Sequence, residues 1–148
     1  MLDMLDRYTG HWSGTLRIYS LEEELLETWE ISQRYWWDGD VQRAVSVVDR
    51  AGSLTYAESY IAVENNQFVS RTFHGEELIR DYVGRALANN TIAWVPNASR
   101  DSGAKQLVER IEQRNGNPVL LLEGHENVIL RQQHTTLLMR GELTRVED

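Results

Sequence analysis

Glu58 stands between Tyr56 and Tyr60 at a spacing of two, with Arg71, Arg80 and Tyr82 in the stretches that follow. In a strand that spacing puts the carboxylate and both phenols on one face. A carboxylate buried on such a face needs a donor, and Arg71 or Arg80 would supply it. Two chemistries fit the set. Arg71, Arg80 and Tyr82 could hold the carboxylate head of an amphipathic ligand, or Glu58 with Arg71 or Tyr82 could do general acid–base work. Should the opposite face turn inward, Ile61 and Val63 are interior and the three polar-aromatic residues are solvated. The pattern leaves both orientations open.

Other chemistry is thinly represented. His11, His74, His125 and His134 are scattered, with no spacing that would chelate a metal. There is no Gly-x-Ser-x-Gly elbow and no phosphate-cradling glycine loop. The absence of cysteine rules out disulfides, thiolate catalysis and zinc–sulfur sites. No catalytic residue, metal or cofactor is assigned, and the chain reads as a binding protein sooner than an enzyme.

The elements that would position these residues are strands. After a helical turn within Met1–Arg7, with Leu2 and Leu5 on one side as an end plug, the hydrophobic period is mostly two. Strands are expected at about 10–19, 27–37, 41–49, 54–63, 67–74, 76–87 and 91–95. After the polar loop 97–103 they resume at 106–113, 119–123, 127–131 and 135–146. Asp38-Gly39-Asp40 is a hairpin turn, because glycine accepts positive φ. Strand two alternates cleanly, with Trp29, Ile31, Gln33, Tyr35 and Trp37 on one face. A meander of nine or ten short-turned strands removes its exposed edges by closing. The expected fold is therefore all-β, a single antiparallel barrel in one domain spanning 1–148.

With 15 basic and 23 acidic residues, a net charge of −8, the surface repels phosphate backbones and anionic headgroups. Nucleic acid and membrane are thus poor partners. The N-terminus lacks the basic and apolar regions of a secretory signal, so the default location is cytoplasmic. Outer apolar residues permit a homodimer without specifying one.

Two short motifs bracket the chain. Gly10-His11-Trp12-Ser13-Gly14 opens the first strand, and Met139-Arg140-Gly141-Glu142-Leu143-Thr144-Arg145 closes the last. Odd positions of the last strand are apolar, which turns Arg145 inward at the strand end, where the Trp12 indole is its natural cation–π partner. Trp12 and Arg145 are thus expected to be structural. Candidate ligand-contacting residues are Trp29, Tyr35 and Trp37 on strand two and Glu58 and Tyr60 on strand four. Arg71 and Phe73 on strand five, Tyr82 on strand six and Trp94 on strand seven complete the set.

The opening motif resembles the Gly-x-Trp-x-Gly start of calycin-superfamily domains. The ending is similar to the Met-x-Gly-x-Tyr-Thr-Arg close of the DUF1579 type, with Leu143 where that pattern prefers an aromatic. The resemblance implies a lipocalin-like barrel of about ten strands holding a small hydrophobic or amphipathic ligand without catalysis. Two alternatives follow from it: a small calycin-type enzyme using a buried carboxylate, and a haem-binding barrel similar to the nitrobindins. His134 falls near the nitrobindin-like ligand position, but the flanking residues of that pattern are absent and its parity puts it opposite the apolar face.

Overall fold

The computed structural model describes residues 1–88, 90–97, 105–130 and 132–147, with the backbone alone at 105 and 128–130. A short helix, α1 (Leu2–Asp6), precedes ten strands: β1 (Gly10–Tyr19), β2 (Leu25–Asp38), β3 (Val41–Arg50), β4 (Ser53–Glu64), β5 (Gln67–His74), β6 (Glu77–Leu87), β7 (Thr91–Pro96), β8 (Lys105–Arg114), β9 (Asn117–Leu130) and β10 (Gln133–Val146). Each pairs antiparallel with its neighbours in sequence, and β1 pairs with β10, so the sheet closes into a ten-strand barrel. The two segments expected at 119–123 and 127–131 are one strand. Gly124 interrupts nothing because it pairs on both sides, with Leu107 and with Met139. The second strand starts two residues early, at Leu25, after a turn in which Glu23 takes a positive φ of 64°. Most of the expected polar loop, residues 98–103, and position 131 lie outside the described residues.

The opening glycines have steric reasons. Gly10 has φ +124°, a conformation side chains disfavour, and Arg145 Nε would stand 3.6 Å from a Cβ there. A Cβ on Gly14 would lie 2.0 Å from the Glu142 carbonyl oxygen, so only glycine lets β1 and β10 approach this closely. Both motifs therefore serve the seam that closes the barrel.

Five residues make a marginal helix in isolation, so the α1 plug is held by tertiary contacts. Leu5 and Tyr8 are buried. The carbonyls that a helix leaves free at its C-terminal end are met by side chains from the barrel. Gln42 Nε2 donates to Leu5 O at 2.7 Å, Trp12 Nε1 to Tyr8 O at 2.8 Å and Arg145 to Arg7 O at 2.8 Å. Trp37 Nε1 adds a bond to Asp6 Oδ1 at 2.8 Å.

Inside, the barrel has two unlike sides. Toward β9, β10 and β1 it is packed with Leu120, Leu122, Leu143, Met139 and Ile18, all buried. The tips of Leu122 and Leu16 come within 3.0 and 3.1 Å of where a Cβ on Gly141 would stand, filling the space above that glycine. Toward β3–β5 several inward positions are small or polar, among them Ser46, Ala57, Ser59, Ser70 and Thr72, and the interior there is not filled.

Candidate functional site

The unfilled side is a cavity of about 130 Å³ between the plug and the middle of the barrel. Its wall is unusual for an interior. Ser46 on β3, Ala57 and Ser59 on β4, and Ser70 and Thr72 on β5 present one to three heavy atoms each where a packed barrel would carry larger apolar residues. Ser59 Oγ and Thr72 Oγ1 bond to each other across β4 and β5 at 2.8 Å. Tyr8 and Leu5 close the plug end, and Tyr35, Tyr82, Ile92, Trp94 and Leu107 supply the larger surfaces. A cavity of about 150 Å³ is known to hold a benzene-sized molecule, so this one suits roughly five or six non-hydrogen atoms.

Three side-chain atoms at this wall are buried without a hydrogen-bond partner: Tyr8 Oη, Gln42 Oε1 and Trp94 Nε1. Leaving a buried polar atom unpaired costs about 1–3 kcal/mol. Gln42 is fully buried; its amide nitrogen is spent on Leu5 O, and its oxygen is left over. Tyr35 is satisfied, donating to Gln33 Oε1 at 2.7 Å, and its ring tilts against Tyr8 at 5.7 Å between centroids.

Glu109 on β8 is the carboxylate of this cavity. The residue is half-buried and borders the open space of the cavity. Burial lifts it from the ordinary 4.5 to about 7. The Trp94 indole N–H stands close enough to favour the ionised form, without the geometry of a full hydrogen bond. Burial, with the Glu109 charge second, raises both the Tyr8 and Tyr35 hydroxyls above their ordinary 10.0, which places all three groups in one electrostatic neighbourhood.

Of the nine candidate ligand-contacting residues, Tyr35, Tyr82 and Trp94 line the cavity and six do not; Arg80, the other cation weighed beside Arg71, also lines it. Ala57, Ser59 and Ile61 are the inward positions of β4, so Glu58 and Tyr60 face outward. They meet Arg71 and Phe73 in a shallow groove on the outer wall, where Tyr60 and Phe73 pack edge to face at 5.7 Å. Glu58 is therefore not the buried carboxylate. It is exposed and lies 3.6 Å from Arg43. Trp37 belongs to the plug, and Trp29 sits at the far end of β2, its indole N–H on Glu27 and Arg50 over its ring at 5.2 Å. His134 is exposed at the start of β10, away from the cavity wall.

Reasoning from sequence missed Glu109, Gln42, Tyr8 and the serine–threonine wall. One signal was available for Glu109: it interrupts the apolar face Leu107–Ile111 of β8.

No protein-family model matches the chain, and no curated protein matches it in sequence. Among solved structures it is similar to the S-type phycobiliprotein lyase CPES from Guillardia theta. The TM-score is 0.67 at 8% identity, over 99% of this chain and 93% of that one. At such identity the likeness shows the fold alone, a closed ten-strand antiparallel barrel.

Proposed function

We propose that this barrel binds a small molecule in the cavity beneath the plug and carries out no chemistry on it. The observation that carries the reading is the trio of buried, unpartnered atoms, Tyr8 Oη, Gln42 Oε1 and Trp94 Nε1, on the wall of one internal cavity. A core selected for stability alone would fill this space or pair these groups. A polar ligand, or the polar end of an amphipathic one, completes them. The volume argues for a compact ligand, well below the roughly 300 Å³ at which drug-sized sites begin. Haem exceeds that volume many times over, and His134 is not on the wall. Among the described residues no group of three or more His, Asp or Glu could hold a metal ion. No helix among them is long and apolar enough to cross a membrane.

Kinship to the DUF1579 type stays within this proposal, supported by the seam that the two bracketing motifs build. A thermal-shift screen of small polar compounds against the wild-type protein and Ser70→Leu tests the reading. Compounds that raise the wild-type melting temperature should leave the filled variant unmoved. Equal shifts in both proteins would show that binding is elsewhere.

A further inference from the structure

At the plug end of the cavity Gln42 and Tyr35 have committed their donors, while the Tyr8 hydroxyl keeps its hydrogen and the Trp94 N–H stands beside Glu109. Gln42 has committed its amide N–H to Leu5 O at 2.7 Å, with Thr9 Oγ1 at 3.4 Å as a second contact, and presents only its carbonyl oxygen. Tyr35 has committed its O–H to Gln33. Tyr8 Oη keeps free lone pairs, and the Glu109 carboxylate adds two oxygens with the Trp94 N–H nearby. Around these acceptors stand the rings of Tyr8, Tyr35 and Trp94, all on the wall of the same cavity. Aromatic faces beside a carboxylate favour a cation.

We infer that the ligand of this cavity carries a protonated primary amine, seated at the plug end with its three N–H groups on Glu109, Gln42 Oε1 and Tyr8 Oη. An ammonium has three donors and no acceptor, which suits the unpaired Gln42 oxygen and the Glu109 carboxylate, with Tyr8 Oη accepting through a lone pair. The inference rests on the cavity being a ligand site. Arg80, the one cation among the described lining residues, does not oppose it, because that residue is exposed and joins the wall opposite Thr72 on β5. An anionic head at the plug end would instead face the Glu109 charge and the Gln42 oxygen. The remaining wall, small hydroxyls and Ile92, Leu107 and Ile61, suits a short aliphatic or aromatic tail.

A matched series separates charge from size: n-butylammonium, 1-butanol and butanoate, each titrated calorimetrically at about pH 8 in about 0.15 M salt. Butylammonium should bind at one site, about tenfold or more tighter than 1-butanol, as charge-assisted hydrogen bonds imply, and butanoate should give no binding. Glu109→Gln keeps the shape and removes the charge, and should bring butylammonium to within about threefold of 1-butanol. Ser70→Leu fills the cavity without changing the surface charge and should abolish binding. That control matters in a protein of net charge −8, where cations condense on the outside. Equal or tighter binding of 1-butanol or butanoate overturns the amine while leaving a ligand cavity in place. Butylammonium binding that survives Ser70→Leu overturns it as a surface effect. Failure of all three probes overturns it and counts against the cavity as a ligand site as well.

Discussion

The Arg145 guanidinium lies 4.6 Å from the centroid of the Trp12 ring, while the Trp12 indole N–H reaches back to Tyr8 O. Trp12 and Arg145 are also direct cross-strand partners in the β1–β10 seam. One residue pair thus joins the first strand, the last strand and the plug that floors the cavity. Trp12 is fully buried, so Trp12→Ala should cost about 3–5 kcal/mol in urea unfolding. Arg145→Met, which keeps the aliphatic stem but loses the cation and the bond to Arg7 O, should cost about 1–2 kcal/mol. A Trp12→Ala loss below about 1 kcal/mol would contradict its place in the core.

Glu109 gives the barrel a pH dependence of definite sign. Its proton affinity is higher folded than unfolded, so the native state binds more protons between 4.5 and about 7. Stability is fullest below 4.5 on this account and is lost as pH rises through about 7. At about 1.4 kcal/mol for each tenfold change in proton affinity, the loss approaches about 3 kcal/mol. The groups in electrostatic reach of the carboxyl are Tyr8 beside the plug, Tyr35 on β2 and Trp94 on β7, while Gln42 on β3 and Arg80 and Tyr82 on β6 share the cavity wall. The stability advantage of Glu109→Gln over wild type should therefore grow between about pH 5 and 7 and level off above, measured by denaturant midpoints. A flat difference across that range would mean that Glu109 titrates as an exposed residue does.

Gly84 on β6 guards the position of Trp94. A Cβ there would stand 2.7 Å from two carbons of the indole ring and 3.1 Å from Ile92 Cγ2. Gly84→Ala should destabilise by about 1–3 kcal/mol through overpacking and displace the indole. Trp94 borders the cavity, so the same variant should weaken ligand binding and shift the Trp94 contribution to fluorescence. Unchanged stability and an unchanged spectrum would show that the ring has room to spare.

The outer groove supplies a negative control. Tyr60 and Phe73 pack there against each other, and Arg71 pairs with Glu64 on the surface. Arg71→Ala and Phe73→Ser should leave the binding of any cavity ligand within about twofold of wild type, since neither residue touches the cavity wall. A large loss of affinity in either would move the site to the outside of the barrel.

The fold was largely legible because alternation and turn chemistry are local signals, and Gly39 at φ +64° in its hairpin is one of them. The site was less so, for a physical reason that β4 illustrates. Its inner positions are Ala57 and Ser59, and its outer ones are Tyr56, Glu58 and Tyr60. Alternation leaves both faces of this strand open, and a wall that leaves space carries small hydroxyls, so the aromatic face is the solvated one. Ser46, Ser59 and Ser70 each look like ordinary surface residues, and only the register of three adjacent strands brings them together. Gln42 is hidden for a similar reason, since its role depends on a helix 37 residues away in sequence.

Native mass spectrometry of the protein purified from its own host, with a denatured extract analysed for released compounds, tests the cavity most directly. A compact bound molecule of roughly five or six non-hydrogen atoms is expected in stoichiometric amount, absent from Ser70→Leu prepared in the same way. Wild-type protein found uniformly at the mass of the bare chain, with nothing released, would contradict it. So would a bound molecule retained in full by the filled variant.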